Sequence, residues 1–172
     1  MKVIWNPAVT LDGYIALPDG DADWVSDADS AYFWELAKQC GCVIVGRKTY
    51  EQYKDVVYPV PDATTFVWTS HPQTLEPAQG VMGISGTPQE ILAEISKQGH
   101  DRAALAGGSK TSSAFAAAGL IDEVIANVYP TMFGEGIKAL DGAASRLDLE
   151  FLRFEQLPDG PLQHHYRVRK DA

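Results

Sequence analysis

The chain has 172 residues and a net charge of −9, and hydrophobic residues make up 45% of it. This composition excludes a disordered or fibrous protein, and an acidic chain without a Lys/Arg-rich run offers no basic groove for nucleic acid. No stretch approaches the roughly 20 apolar residues of a membrane helix, and the N-terminus is too short and interrupted for a signal peptide. Cys40 and Cys42 are too few for a disulfide framework. We therefore expect a soluble cytoplasmic protein that forms one domain over residues 1–172.

Strands and helices alternate along most of the chain. Strands are predicted at residues 2–9, 42–45, 65–68, near 81–84, 103–106 and 124–129, whereas residues 10–25 are predicted to be a loop. Four helices are predicted. The first starts at a cap formed by Ser26 or Asp27, and the second runs from residue 47 to 56. The third starts at a capping box of Thr87 and Glu90 and ends near 98, and the fourth runs from after residue 108 to 118.

The C-terminal part of the chain shows a different pattern. Residues 147–157 and 163–170 are predicted to be two antiparallel strands that are joined at Pro158-Asp159-Gly160, with no helix between them. We therefore predict an α/β fold with three layers, α/β/α, in which a mainly parallel sheet has an antiparallel C-terminal edge.

The sequence GRKT (residues 46–49) lies where a buried strand changes directly into a helix. A helix N-terminus offers unpaired N–H groups and about half a positive charge, so an anion is favoured there. Arg47 can bind phosphate through two parallel N–H bonds, and Thr49 adds a hydroxyl. The alternative is that Arg47 and the lysine beside it form surface salt bridges with Glu51 or Asp55.

The sequence AGGSKT (residues 106–111) repeats this arrangement of strand, glycines and helix. Glycines without side chains let a diphosphate approach the backbone closely, although the same pair also suits a simple tight turn. The segment is not a P-loop, because Ser109 stands where glycine is required before the lysine. A third strand ends in Thr69, Ser70 and His71, and all three strand ends are expected at one edge of a parallel sheet, where ligands of such folds bind.

These motifs, taken in order, make the chain resemble the dihydrofolate reductase-like superfamily, and in particular the reductase domain of the bifunctional riboflavin-biosynthesis deaminase/reductase. The segments that carry the resemblance are LDGYIA (11–16), GRKTY (46–50), the Gly-Gly turn (107–108), GLIDE (119–123) and PTMFGEG (130–136). The resemblance implies an NADPH-dependent reductase with a dihydrofolate reductase-like fold. It also implies a homodimer, for which Trp5 and Trp68 would supply apolar surface unless they lie in the core.

The resemblance also implies which residues bind the cofactor. Arg47 would hold the 2′-phosphate, and Thr49, which follows Gly46, would hold the bridging phosphates. Thr69 and Ser70 would flank the adenosine end. Gly107, Gly108 and Ser109 would wrap the diphosphate, and Ala8 and Ile15 would line the nicotinamide. His71 would add a contact to the 2′-phosphate or would be only a loop residue.

At the substrate end, the resemblance implies Trp24 and Phe33 as substrate-binding residues and Asp29 as the catalytic carboxylate. Asp29 and Phe33 lie four residues apart and share one face of the predicted helix, whereas Asp27 is expected to cap it. The alternative for Asp29 is a first-turn acid that favours the helix dipole.

We expect no metal site, because Cys40 and Cys42 alternate along a strand and His164 and His165 point to opposite faces of one. The predicted function is hydride transfer from NADPH to a small pteridine-, pyrimidine- or carbonyl-type substrate. The alternative is a nucleotide-binding or regulatory protein that keeps the fold without turnover.

Overall fold

The structure is a computed structural model and describes residues 1–141, 146–158 and 160–170. Its helices are α1 (Asp27–Cys40), α2 (Arg47–Tyr53), α3 (Pro88–Lys97) and α4 (Ser109–Ala117), with a short 3₁₀ helix at Pro72–Thr74. Its strands are β1 (Lys2–Trp5), β2 (Ala8–Thr10), β3 (Tyr14–Ala16), β4 (Cys42–Gly46), β5 (Thr64–Trp68), β6 (Val81–Ile84), β7 (Arg102–Gly107), β8 (Glu123–Tyr129), β9 (Ile137–Lys138), β10 (Leu149–Gln156) and β11 (Leu162–Val168).

The main sheet has the strand order β10–β11–β8–β1–β7–β4–β5–β6, and β2 also pairs with β8. The pairs from β8 to β6 are parallel, whereas β10 and β11 pair in antiparallel fashion and β11 runs antiparallel to β8. The predicted mainly parallel sheet with an antiparallel C-terminal edge is confirmed. β3 and β9 form a separate antiparallel pair.

Helices cover the two faces of the sheet. On β4, Ile44 packs into a core cluster with Phe115 of α4 and Ile91 of α3. Its neighbour Val45 points the other way, into a cluster that also contains Phe33 of α1 and residues of α2. This alternation of side chains along a strand produces the predicted three layers.

The predicted continuous strand over residues 2–9 is wrong, because the chain changes partners at Asn6 and Pro7. Pro7 has no backbone N–H for a ladder. The Asn6 backbone N–H bonds to Leu105 O of β7, whereas the Pro7 carbonyl accepts from the Asn127 backbone N–H of β8. β1 therefore lies between β7 and β8, and β2 continues along β8 alone.

Other predicted boundaries differ from the structure. The expected loop at 10–25 contains β3, which pairs with β9, a strand that was not predicted. α2 ends at Tyr53 rather than at 56, because the backbone N–H groups of Val56, Val57 and Tyr58 all bond to Tyr53 O and the helical ladder cannot continue. β10 and β11 are shorter than predicted, as strand ends often are. Asp159 of the predicted turn lies outside the described residues.

The two tryptophans proposed for a dimer surface are not exposed. Trp5 lies in the core, and Trp68 packs against Phe115 with ring centroids 5.9 Å apart. The two most exposed aromatic side chains among the described large hydrophobic residues are Phe151 and Phe154 on β10, at 55% and 64% exposure. In the described part of the chain, no helix is long and apolar enough to cross a membrane.

Candidate functional site

Three strand ends that the sequence analysis singled out meet at one edge of the sheet. β4 ends at Gly46, β7 ends at Gly107, and Thr69 follows the last residue of β5. β4 lies between β5 and β7 and runs parallel to both. The structure therefore brings the three turns together as predicted, at the kind of edge where parallel α/β sheets bind ligands.

The two glycine turns at this edge pack against each other's helices. A Cβ atom on Gly46 would lie 2.5 Å from Thr111 Oγ1, and a Cβ atom on Gly108 would lie 2.7 Å from Thr49 Oγ1. Gly107 adopts φ +102°, a conformation that favours glycine. We call residues 46–49 and 107–111 together the glycine edge. The glycines there bring the starts of α2 and α4 close together and leave two threonine hydroxyls between the turns.

A cleft of about 470 Å³ opens beside the start of α4. Ser109 lines this cleft together with Tyr14, Glu135, Gly136, Ile137, Lys138 and Asp141. The Ser109 side chain is buried, and its Oγ has no hydrogen-bond partner within the described residues. Because a buried polar group without a partner is costly, the hydroxyl is available to a ligand atom that enters the cleft.

Arg47 at the start of α2 already has partners in the protein. Its Nε donates to Glu51 Oε1 at 2.6 Å, and its other nitrogens bond to the side chain and the carbonyl of Thr74. The surface salt bridge that was the alternative for Arg47 is therefore present. An exposed pair of this kind contributes only about 0.3–0.5 kcal/mol, so it is weak enough for a phosphate to replace it.

Thr69, Ser70 and His71 form the turn after β5. Thr69 is buried, and its Oγ1 accepts a hydrogen bond of 3.2 Å from the His71 backbone N–H. Ser70 Oγ lies 2.8 Å from His71 Nδ1, and both side chains are exposed. The Thr69 hydroxyl therefore shapes the turn, and the two following side chains are accessible from solvent.

Ala8 and Ile15 lie on β2 and β3, and both are half-buried. Ala8 is paired with Asn127 of β8. The loop between these two strands is held by Asp12, whose carboxylate accepts from the Thr10 hydroxyl and from the backbone N–H groups of Phe133 and Gly134. The Thr10 hydrogen bond lowers the pKa of Asp12, and the two N–H groups act in the same direction. The LDGYIA and PTMFGEG segments therefore form one unit.

Asp29 on α1 is buried at 4% exposure, and both of its oxygens face β8. Asn127 Nδ2 donates to Oδ1 at 2.7 Å, and the Tyr129 hydroxyl lies 3.0 Å from Oδ2. Burial raises the pKa of Asp29, whereas the hydrogen bonds from Tyr129 and Asn127 oppose this shift. A first-turn acid that acts only on the helix dipole would be exposed, so this environment favours a more specific role.

The cap of α1 is Ser26, one of the two residues predicted for it. Ser26 Oγ accepts from the Asp29 backbone N–H at 3.3 Å, and Asp27 is the first helical residue, with an exposed side chain. The expectation that Asp27 caps the helix is wrong, because the cap position belongs to the residue before it.

Trp24 and Phe33 lie in different surroundings. The Trp24 ring packs edge-on against Tyr129 and Phe133, with centroids 4.8 and 5.3 Å apart. Its Nε1 is buried and has no hydrogen-bond partner in the described ranges of the chain. Phe33 is buried beneath α1 and packs against Tyr58. We call Trp24, Ser26, Asp29, Asn127 and Tyr129 the Asp29 pocket; Phe33 lies one helical turn from Asp29, within the core cluster.

Comparison with known proteins agrees with this architecture. The family model of the RibD C-terminal domain matches residues 1–162. The chain belongs to this family.

Solved structures that are similar to this chain show that its fold is dihydrofolate reductase-like. A Shewanella sp. PV-4 protein assigned provisionally to riboflavin biosynthesis has a TM-score of 0.81 at 24% identity, over 99% of this chain and 100% of its own. A Thermotoga maritima diaminohydroxyphosphoribosylaminopyrimidine deaminase/5-amino-6-(5-phosphoribosylamino)uracil reductase has a TM-score of 0.75 at 20% identity, over 98% of this chain and 56% of its own. Enterococcus faecalis dihydrofolate reductase, solved with NADP(H), has a TM-score of 0.73 at 21% identity, over 98% and 97% of the two chains.

The sequence did not lead us to predict the hydrogen-bond partners of Asp29. Asn127 and Tyr129 were treated only as members of a predicted strand. Their alternation with Val128 places both on the face that carries Ile125, and an asparagine at a buried position of an apolar strand is a signal for a buried hydrogen bond.

The cysteines and histidines set aside earlier have structural surroundings. Burial raises the pKa of Cys42 to about 12 and also raises the pKa of Cys40. His165 is buried and His164 is half-buried on the other face of β11, as predicted. Among the described residues, no group of three or more His, Cys, Asp and Glu side chains could hold a metal ion.

Proposed function

We propose that the chain is an NADPH-dependent reductase that reduces a small pteridine-, pyrimidine- or carbonyl-type substrate. Membership of the RibD C-terminal domain family supports this, as does the shared fold with a dihydrofolate reductase that binds NADP(H). The observation that carries the proposal is the buried Ser109 hydroxyl, which has no partner within the described residues and lines the cleft beside the glycine edge. A phosphate oxygen would satisfy it.

In this proposal the cofactor is held by residues of three turns and two short strands. They are Gly46, Arg47 and Thr49 of the first turn, Thr69 and Ser70 of the second, Gly107, Gly108 and Ser109 of the third, and Ala8 and Ile15 of the strands. The absence of side chains at Gly46 and Gly108 lets the Thr111 and Thr49 hydroxyls lie close against the two turns, where they would be hydrogen-bond donors for a phosphate. When bound, NADPH supplies the hydride, and the protein supplies binding and orientation.

Asp29 is the proposed proton donor. A hydride that arrives at a carbon leaves negative charge on the neighbouring atom, so a proton must follow. Burial favours the neutral acid, and the Tyr129 hydroxyl can adapt to either form of Asp29. It donates to an ionised Asp29 at 3.0 Å, or turns to Ser26 Oγ at 3.2 Å when Asp29 itself carries the proton.

Trp24 and Phe33 are the proposed substrate contacts. The buried Trp24 Nε1–H without a partner among the described residues can donate to a carbonyl oxygen or ring nitrogen of the substrate. Phe33 would contribute to the apolar wall next to Asp29, one helical turn away.

Calorimetric titration of NADPH and spectroscopic measurement of its oxidation test the proposal. Candidate pterins, pyrimidines and ketones should be offered as substrates. We expect micromolar binding, weakened in Ser109→Ala and unchanged in Ser96→Ala, an exposed serine on α3. A protein that fails to bind NADPH at millimolar concentration would overturn the proposal.

A second candidate function is nucleotide binding without turnover. It is favoured by the fact that both oxygens of the buried Asp29 already bond to protein groups. The same titration separates the two candidates, because this one predicts NADPH binding with no oxidation by any substrate offered.

We further propose that the protein is cytoplasmic, that it folds as one domain and that two copies form a homodimer. β10 is an edge strand, and Phe151 and Phe154 are exposed on it. Exposed apolar edge strands tend to pair with another chain, so we propose that a second copy covers β10. Light scattering at micromolar concentration should give the mass of a dimer, and Phe154→Glu should give a monomer.

A further inference from the structure

A continuous line of hydrogen bonds leads from Asp29 through the sheet to its edge. Asn127 Nδ2 donates to Asp29 Oδ1 at 2.7 Å, and Gln163 Nε2 donates to Asn127 Oδ1 at 2.9 Å. His165 Nε2 then lies 2.8 Å from Gln163 Oε1 and 3.2 Å from Glu155 Oε1. The line therefore joins the buried carboxylate on α1 to an exposed carboxylate on β10, across β8 and β11.

The direction of every bond in this line follows from its two ends. Asp29 Oδ1 accepts when the group is ionised and also when its proton is on Oδ2, so Asn127 must present its amide nitrogen and its Oδ1 must face Gln163. Gln163 then donates, and its Oε1 faces His165. Because Gln163 Oε1 and Glu155 both accept, the hydrogen of neutral His165 must be on Nε2. Reversal of one amide would place two acceptors, or two donors, against each other.

Burial makes such a reversal costly. Asn127 and Gln163 are both at 0% exposure, and His165 is at 8%. A buried amide with a mismatched partner loses its hydrogen bond and cannot exchange it for one to water. Apolar side chains would fill the same space between α1 and the sheet without this requirement, so the polar line is not needed for packing alone.

We propose that Asn127, Gln163 and His165 are positioning residues that fix which hydrogen bond Asp29 Oδ1 receives and so link Asp29 to Glu155. With Oδ1 held by the Asn127 amide, proton exchange is confined to Oδ2, where Tyr129 and Ser26 lie. Use of this proton in substrate reduction rests on the proposed function, but the linkage itself does not.

Several charged or titratable groups surround the line. Arg153 and Glu155 of β10, Glu123 of β8 and Tyr32 of α1 interact electrostatically with His165 or with the two β10 residues. Burial holds the pKa of His165 below its usual value, and Arg153 acts in the same direction, so the ring is neutral near pH 7.

The decisive variant is Gln163→Glu, which keeps the shape and changes the bonding. An ionised carboxylate at position 163 can only accept hydrogen bonds, so the Asn127 amide must turn its Nδ2 towards it. Asn127 Oδ1 then faces Asp29. Asp29 then binds its proton more tightly. We expect its pKa, measured by carbon NMR with labelled aspartate and assigned through Asp29→Asn, to rise by about one to two units.

The matched control is His164→Glu, which adds the same charge to β11 on the opposite face of the strand, outside the line. We expect it to raise the pKa of Asp29 by no more than a few tenths of a unit, in line with screening of exposed charges. Equal shifts in the two variants would mean that charge alone acts, and the proposal would be overturned.

A measurement on the unsubstituted protein keeps the proposal testable if Gln163→Glu does not fold. Nitrogen NMR of His165 should show the hydrogen on Nε2 at neutral pH. A hydrogen on Nδ1 would contradict the direction derived above and would overturn the proposal.

Turnover separates this inference from the proposed function. If Asp29 donates the proton, the acid limb of the pH profile for NADPH oxidation should move with the pKa of Asp29 in Gln163→Glu. A pKa that moves while the pH profile stays fixed supports the linkage and removes Asp29 from the reaction.

Discussion

The glycine edge and the Asp29 pocket lie in the same molecule but are held together by different forces. At the glycine edge, backbone and hydroxyl groups approach so closely that no Cβ fits at Gly46 or Gly108. In the Asp29 pocket, space is filled by ordinary side chains and the constraint is hydrogen bonding among buried polar groups. Substitutions that add side-chain volume should therefore disturb the glycine edge, and substitutions that change side-chain polarity should disturb the Asp29 pocket.

The largest expected effect comes from a change of polarity without a change of shape. Asp29→Asn should lower turnover on an identified substrate by roughly a hundred- to ten-thousandfold, the contribution typical of a general acid. NADPH affinity should be unchanged, since the Asp29 carboxylate bonds to Asn127 and Tyr129 and to none of the proposed cofactor residues. Asp27→Asn, with its exposed side chain, is the matched control and should retain turnover. Unchanged turnover in Asp29→Asn would leave the pocket with a structural role.

At the glycine edge, Arg47 provides the charge that the glycines lack. A charge-assisted hydrogen bond contributes about 1.5–3 kcal/mol. Arg47→Ala should therefore lower the affinity for NADPH by roughly ten- to hundredfold and should change the affinity for NADH little. Lys54→Ala removes another exposed cation, one that pairs with Glu76, and should change neither affinity. Titration of both nucleotides measures this. Equal losses for NADPH and NADH would show that Arg47 acts through Glu51 and Thr74.

A pure change of volume tests the other half of the comparison. Gly46→Ala places a methyl group against Thr111 Oγ1 and should lower the free energy of unfolding by about 1–3 kcal/mol. Gly46 has φ −72°, so backbone strain does not contribute. Addition of Thr111→Ala removes the clashing atom and should restore most of the loss in a urea double-mutant cycle. Additive losses would contradict a steric cause.

The smallest expected effect is on stability as a function of pH. Burial raises the pKa of Asp29 in the folded state above its ordinary value, so over this pH range the native state binds a proton that the unfolded state has released. The free energy of unfolding should therefore fall as the pH rises from about the pKa of Asp29 in the unfolded chain through its pKa in the folded protein. Urea unfolding at several pH values should show this slope in the unsubstituted protein and in Asp27→Asn. The slope should be weaker in Asp29→Asn.

Much of the glycine edge could be predicted because its signals are local. Gly46 and Arg47 lie at a change from strand to helix, Gly107 and Gly108 at another, and sheet topology then places both at one edge. The partners of Asp29 could not be predicted in this way. Asn127 lies 98 residues away and Gln163 a further 36, so their contacts depend on the order β11–β8–β1 and on the packing of α1.

The β3–β9 pair was missed for a related reason. Strands of three and two residues carry almost no periodic pattern. Asp12 brings them together by binding Phe133 and Gly134, which lie more than a hundred residues further along the chain. A conspicuous LDG segment could be recognised in the sequence, but the contact that explains its aspartate appears only in the folded chain.

The position of β1 between β7 and β8 has a consequence for protein synthesis. Lys2 pairs with Arg102 and Ile4 with Glu123, so β1 has no neighbour in the sheet until about a hundred more residues have left the ribosome. At about 5–20 residues per second, this takes roughly 5–20 s. During that interval the apolar side chains of Val3, Ile4 and Trp5, which are later buried, are open to capture by chaperones or by other nascent chains.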